Sequence, residues 1–148
     1  MPHFMLQMTP NGPIVQAAIL VSAARREALE SSGIPIPTAQ RIVALIDTGA
    51  SVSVVDPSVL AALDLNPTGD LDIHTPSTEG ISVKASTYDV QFGIYAIRPG
   101  DPHFVSETVQ VASAVLANQG IHALIGRDIL ASCVLIYNGA DGYFTLAY

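Results

Sequence analysis

The stretch Ala44-Leu45-Ile46-Asp47-Thr48-Gly49-Ala50-Ser51 is an apolar run that stops abruptly at an acid, a hydroxyl and a glycine. Read as a buried strand, it delivers one carboxylate into a tight loop, because a glycine two residues after the acid frees the backbone to turn. Asp47 then sits at the edge of a core with little side-chain freedom. Turn N–H groups and the Thr48 and Ser51 hydroxyls are the natural donors to keep it ionised. Standing alone, Asp-Thr-Gly also makes an ordinary Asx-turn, in which the side chain only satisfies local backbone. The surrounding chain has to decide between the two.

On the N-terminal side, Phe4, Leu6 and Met8 alternate with His3, Met5 and Gln7, which predicts a short strand before the turn Thr9-Pro10-Asn11-Gly12-Pro13. Ile14 to Val21 is rich in β-branched and small apolar residues, and the Asn-Gly beside it predicts that these two strands pair antiparallel as a hairpin. Ala23 to Glu30 offers about two helical turns, with Ala28 and Leu29 on one side and Arg25, Arg26 and Glu27 exposed. Ser31-Ser32-Gly33 ends them. Ile34-Pro35-Ile36-Pro37 lacks two backbone donors and reads as an extended surface loop. The strand pattern then resumes from Arg41 to Ile46.

On the C-terminal side, Ser53 to Val55 is strand-like, and Asp56-Pro57 is a helix N-cap with proline at the first helical position, predicting a helix to about Leu63. Leu71 and Ile73 alternate, Thr75 to Gly80 break the pattern, and Ile81, Val83, Tyr88, Val90, Phe92 and Ile94 resume it. This is a hairpin with a polar tip whose second arm runs into the body of a sheet. Beyond the turn-rich Arg98-Pro99-Gly100-Asp101-Pro102, Thr108 to Val115 is a strand with Val109, Val111 and Ser113 on one face. Asn118-Gln119-Gly120 turns the chain into a strand from Ile121 to Ile125, then Gly126 and a short helix from Arg127 to Ser132. Val134 to Tyr137 and Tyr143 to Leu146 flank a turn-rich hairpin loop.

Composition narrows the function classes. A chain of 148 residues, 49% hydrophobic and 13% charged, fits one domain over residues 1–148 and leaves some apolar surface for a partner. Six basic residues in a net charge of −7 argue against nucleic acid, which demands clustered Lys and Arg. Cys133 is the single cysteine, so no intramolecular disulfide and no Cys-based zinc site form; among apolar neighbours it reads as a buried structural thiol. The first five residues lack a basic and apolar leader, and Gln16 interrupts an apolar stretch too short to span a bilayer, so a cytoplasmic location with no membrane partner is expected. Gly49-Ala50-Ser51-Val52-Ser53 lacks the second glycine of a nucleophile elbow, and no phosphate-binding P-loop is present. Histidines 3, 74, 103 and 122 have no metal-binding spacing and read as surface or strand residues.

Two motifs in order are more specific than either alone. The octapeptide at 44–51 closely resembles the active-site motif of aspartic proteases. Ala123-Leu124-Ile125-Gly126-Arg127-Asp128-Ile129-Leu130 resembles the apolar-apolar-Gly-Arg-Asp/Asn segment that opens the C-terminal helix of retroviral-type proteases. The polar hairpin tip between them occupies the position of that family's flap. From Ile42 to Tyr148 the chain therefore resembles a single-domain, bacterial-like retropepsin-like aspartic protease.

That resemblance implies a mostly-β fold, a closed or partly closed barrel with a flap hairpin and one or two short helices. It also implies an endopeptidase acting on peptide or protein substrates with no metal, cofactor or covalent intermediate. Its mechanism needs two carboxylates sharing a proton, one a general base on water, the other polarising the scissile carbonyl. This chain has one Asp-Thr-Gly, so catalysis requires a homodimer, joined through terminal strands and the motif loops, with Asp47 of each copy meeting on a twofold axis. Carried over, Asp47 is the catalytic acid/base, Thr48 hydrogen-bonds across the dimer, and Gly49 lets substrate backbone approach. Ala50 and Ser51 line the cleft, Thr78, Glu79 and Gly80 lie near the flap tip, and Gly126, Arg127 and Asp128 support the site.

The chain also departs from the family's pattern. Arg127 usually pairs with an Asp two residues after the motif glycine, where this chain has Ser51. The flap tip is less glycine-rich and carries an acid, which disfavours acidic substrate side chains. The excursion from Ala23 to Pro37 is longer than the usual connection. The rival expectation is a catalytically silent domain of the same fold that binds peptides or serves as a dimerisation module.

Overall fold

In the computed structural model, which describes residues 1–74, 82–95 and 103–148, strands dominate. In chain order, β1 (His3–Gln7) and β2 (Ile14–Val21) precede α1 (Ala23–Ser31), and β3 (Gln40–Ile46) leads to β4 (Val54–Val55) and α2 (Pro57–Ala62). The hairpin arms β5 (Gly69–Ile73) and β6 (Val83–Ile94) come next, then β7 (Phe104–Ser113), β8 (Ala123–Ile125), α3 (Arg127–Leu130), β9 (Val134–Asn138) and β10 (Tyr143–Ala147). Among the described residues there are thus three short α-helices, at the three places where the sequence offered helical turns, more than the one or two that the resemblance implied.

Six strands close a barrel in the order β2-β3-β8-β4-β7-β6, with β6 returning to β2, and β5 continues outward from β6. The closure follows from burial. In β2, Val15, Ala17, Ala18, Ile19 and Val21 are all buried, so the strand needs neighbours on both sides and finds them in β3 and β6. Phe92 and Ile94 of β6, Val111 of β7 and Ile125 of β8 fill the interior, each contributing about 1.5–3 kcal/mol by leaving water. Ser106 pins the irregular register of β6 and β7 near Gly93 by accepting from Phe92 N at 2.9 Å.

The expected hairpin of the first two strands does not form. Thr9 and Gly12 do close a turn, with Gly12 at φ +102°, but β1 pairs with β10 and β2 enters the barrel. Pro13 supplies no N–H to a ladder, and the inward faces of the two strands serve different sheets. β1, β10 and β9 make a separate antiparallel sheet in that order. Its inner side chains Phe4, Leu6, Phe144 and Leu146 join the barrel residues in one buried cluster.

Smaller expectations shift as well. In α1 Leu29 is buried but Ala28 is exposed, while Arg25 and Arg26 are half-buried, Arg26 donating to Gln91 Oε1 at 3.3 Å. β7 begins at Phe104 and ends at Ser113, so Val115 lies outside it and is exposed. The helix after Gly126 stops at Leu130. The Asp56-Pro57 helix start stands as read, with Asp56 accepting from Ser58 N. β5 and β6 pair antiparallel up to Ile73 opposite Val83. Their tip, including Thr78, Glu79 and Gly80, lies outside the described residues, as does the turn at 98–102. No described helix is long and apolar enough to cross a membrane.

Candidate active site

β3 and β8 run parallel, with Ala44 opposite Ala123 and Ile46 opposite Ile125, so the two motifs end side by side. Ala44, Ile46, Ala123 and Ile125 are buried, and the chain leaves the core at Asp47. Asp47 N donates to Ile125 O at 2.9 Å, which ties the first loop residue to the end of β8. A turn follows, closed by Ala50 N on Asp47 O at 3.2 Å. The Asp47 carboxylate is half-buried, and its Oδ1 accepts from Gly49 N at 2.9 Å. The Asx-turn and the placed carboxylate are therefore the same object: a local hydrogen bond fixes the rotation of an acid that faces outward.

Gly49 does more than turn. A Cβ there would stand 3.1 Å from Asp47 Oδ1, against the carboxylate itself. Asp47, Gly49, Ala50 and Ser51 line a cleft of about 550 Å³, together with Val52, Val54, Leu71, Asp72, Ile73, His74, Ala112 and Leu124. The floor is the motif loop with β4, β7 and β8, and one wall is β5, the described arm of the hairpin. Most of the cleft lining is apolar, with Asp47, Ser51, Asp72 and His74 as its polar side chains. Thr48 is exposed and makes no side-chain hydrogen bond among the described residues.

The second motif buttresses the loop. Arg127 N donates to Ala50 O at 2.9 Å, and Gly126 N donates to Ser53 Oγ at 2.9 Å. Gly126 has no room for a side chain, since a Cβ would meet the Val52 carbonyl carbon at 2.8 Å. Asp128 accepts from Ser53 N at 2.8 Å and from the Ser53 hydroxyl at 2.7 Å. The Arg127 guanidinium, by contrast, is exposed and pairs with no acid among the described residues.

Between β4 and α2 a carboxylate is buried. Asp56 caps α2 through Ser58 N and Ser58 Oγ, and its Oδ2 accepts from Leu116 N at 2.8 Å and Ala117 N at 2.9 Å. Burial alone would raise its pKa. The Ser58 hydroxyl and the amides of Leu116, Ser58 and Ala117 outweigh that and hold the carboxyl well below the usual carboxylate range.

Among the described residues no group of three or more His, Cys, Asp or Glu side chains gathers as a metal site. Cys133 is half-buried, and burial pushes its thiol pKa up, away from thiolate chemistry.

Compared with known proteins, the chain matches no family profile and no curated sequence. Its fold is similar to the crystal structure of a retropepsin-like aspartic protease from Rickettsia conorii, with a TM-score of 0.55 over 99% of this chain and 90% of that one, at 14% identity. The fold is retropepsin-like.

Within that fold, sequence reasoning named the loop and its buttress but missed most of the cleft wall. Leu71 and Ile73 were legible only as strand residues and Leu124 only as part of the second motif, and His74, read as a surface or strand residue, stands at the cleft. Their signal was alternation: Leu124 is the half-buried residue between buried Ala123 and Ile125, and so points to the other side of β8. Ser53 carried no signal at all.

Proposed function

We propose that this chain is an aspartic endopeptidase, one domain over residues 1–148, that hydrolyses peptide bonds as a homodimer. The observation that carries the reading is Asp47, a single carboxylate held by Gly49 N at 2.9 Å in an apolar cleft on a retropepsin-like fold. One such loop is half a site. In the dimer, two Asp47 carboxylates about 3 Å apart share one proton, so one accepts a proton from the attacking water while its partner polarises the carbonyl. Exposed Thr48, without a side-chain partner among the described residues, is the hydroxyl available to bond across the twofold axis. Ala50, Ser51, Thr78, Glu79 and Gly80 are the residues this reading assigns to substrate binding.

The outer face of the β1-β10-β9 sheet supports the same reading. Met5 lies in register with Thr145, and Thr145 with Ile136, while Ala147 joins His3 to Val134. Met5, Ile136 and Val134 are 64, 57 and 48% exposed on that face, an apolar patch suited to a second copy.

The deciding experiment is hydrolysis of a diverse peptide library between about pH 3 and 7, the span a coupled carboxyl pair makes productive. Wild-type protein cleaves with a bell-shaped pH profile and a rate per protomer that rises with protomer concentration. Asp47→Asn abolishes cleavage and leaves a folded dimer. A wild-type protein that cleaves nothing while still binding peptides would replace this reading by the silent peptide-binding module.

A further inference from the structure

We infer that Asp128 is the positioning residue of the Asp47 loop, acting through Ser53, and that the Arg127 guanidinium plays no part in holding it. The inference rests on the protease reading above. The loop from Asp47 to Ser53 is tied to the segment 125–128 at its start, its middle and its end. The first two ties are backbone to backbone, Asp47 N on Ile125 O and Arg127 N on Ala50 O, both 2.9 Å. The third is made by side chains.

At that third tie Ser53 is fully buried and its polar groups are committed. Gly126 N donates to Ser53 Oγ, and Ser53 Oγ in turn donates to Asp128 Oδ1, so the hydroxyl proton has one direction available to it. Ser53 N donates to the other carboxylate oxygen, and Ile129 N closes the set on Oδ1 at 2.9 Å. Three donors converge on one carboxylate, and hydrogen bonds to a charged acceptor are the stronger kind.

The consequence reaches Asp47. Asp128 belongs to the first turn of α3, as does Arg127, whose N–H holds Ala50. Release of Ser53 therefore loosens both the far end of the loop and the segment that grips its middle. Only the two backbone ties, at Asp47 N and Ala50 O, would be left to hold it. The Arg127 side chain, exposed and unpaired among the described residues, contributes to none of these contacts.

The test compares Asp128→Ala, Asp128→Asn and Arg127→Gln in the full chain. A displacement of the catalytic carboxylate by a fraction of an ångström to 1 Å acts on the chemical step, so Asp128→Ala lowers kcat by about 100-fold with KM little changed. Asp128→Asn falls between, because its single carbonyl oxygen keeps the Ser53 hydroxyl while its amide nitrogen cannot accept from Ser53 N. Arg127→Gln stays within about fivefold of wild type, as for an exposed unpaired charge. Amide exchange at residues 48–53 accelerates in the Asp128 variants and not in Arg127→Gln.

Two results overturn the inference: Asp128 variants that lose thermal stability but keep wild-type kcat, or Arg127→Gln losing as much kcat as Asp128→Asn. If Asp128→Ala does not fold, Asp128→Asn carries the comparison. If wild-type protein cleaves no peptide, the protease reading falls, and the exchange comparison still decides which residue anchors the loop.

Discussion

The motif loop and the terminal sheet are built on opposite terms. From Asp47 to Ser53 the loop is tied into the protomer at all but the exposed Thr48 and Ser51 side chains: Gly49 N on Asp47 Oδ1, Ala50 O under Arg127 N, Ser53 wholly committed to Gly126 and Asp128. Between β4 and α2, Asp56 binds four donors from two segments. The β1-β10-β9 sheet buries one face on the core and leaves the other, with Met5, Ile136 and Val134, in water, and neither of its outer strands pairs with a further strand among the described residues. The backbone of the first region is fixed within one chain. The second has surface left over. If the site is half a site, its geometry is set inside the protomer and its completion is left to the sheet, so the two can be broken separately.

The largest effect is expected on the finished side. Asp56→Ala removes the α2 cap and leaves the Leu116 and Ala117 amides without their acceptor, at a cost of about 3–5 kcal/mol. The Asp56 carboxyl is depressed in the folded state, so its stabilisation is fully present above the unfolded-state value of about 3.9 and is withdrawn as pH falls through the lower folded value. Urea midpoints measured from pH 6 down to pH 2 should thus fall steeply for wild type over the acid limb and less steeply for Asp56→Ala. Equal slopes would mean that Asp56 is not the linked group.

Next comes Gly126→Ala, which drives a Cβ into the Val52 carbonyl carbon and the Ser53 N, at 2.8 and 3.0 Å. Backbone has to move, and an overpacked site of this kind costs about 1–3 kcal/mol. The signature is a lowered denaturation midpoint with an unchanged slope. Because the backbone that moves is the end of the motif loop, activity falls further than the stability loss explains. A variant destabilised but fully active at low temperature would separate Gly126 from the site.

These two cases also mark what the sequence makes legible. Asp56-Pro57 announces a helix start because cap and proline act within three residues, but the second use of Asp56, on Leu116 and Ala117, spans the chain and leaves no local mark. The Asp47 and Gly126 motifs are readable for the same local reason: an acid, a hydroxyl and a glycine must be adjacent to make that turn. Ser53 and Asp128 meet only because β4 and α3 fold together, so neither advertises the other. Thr9 to Pro13 misleads in the opposite sense. It has the chemistry of a hairpin turn and forms one, yet the strands on either side go to different sheets, since the heavily buried β2 needs two barrel neighbours. Local turn chemistry decides where a chain bends; burial decides what it pairs with.

The smallest effect on the protomer is expected on the unfinished side. Ile136 is 57% exposed on β9, so Ile136→Lys should change protomer stability by no more than about 0.5 kcal/mol. In a dimer it would place an ammonium within the Met5, Val134 and Ile136 patch, where loss of an apolar anchor and burial of a charge raise the dissociation constant by about tenfold or more. Sedimentation over a protomer dilution series reads that constant directly. Hydrolysis should fall in parallel at low concentration and recover as concentration rises, because the loop that holds Asp47 is untouched. Recovery distinguishes a lost partner from a damaged site: Asp128→Ala should not be rescued by concentration, and Ile136→Lys should be. A variant that dissociates more readily yet cleaves equally well at every dilution would mean that one Asp47 is enough, and the comparison between a finished loop and an unfinished sheet would lose its functional meaning.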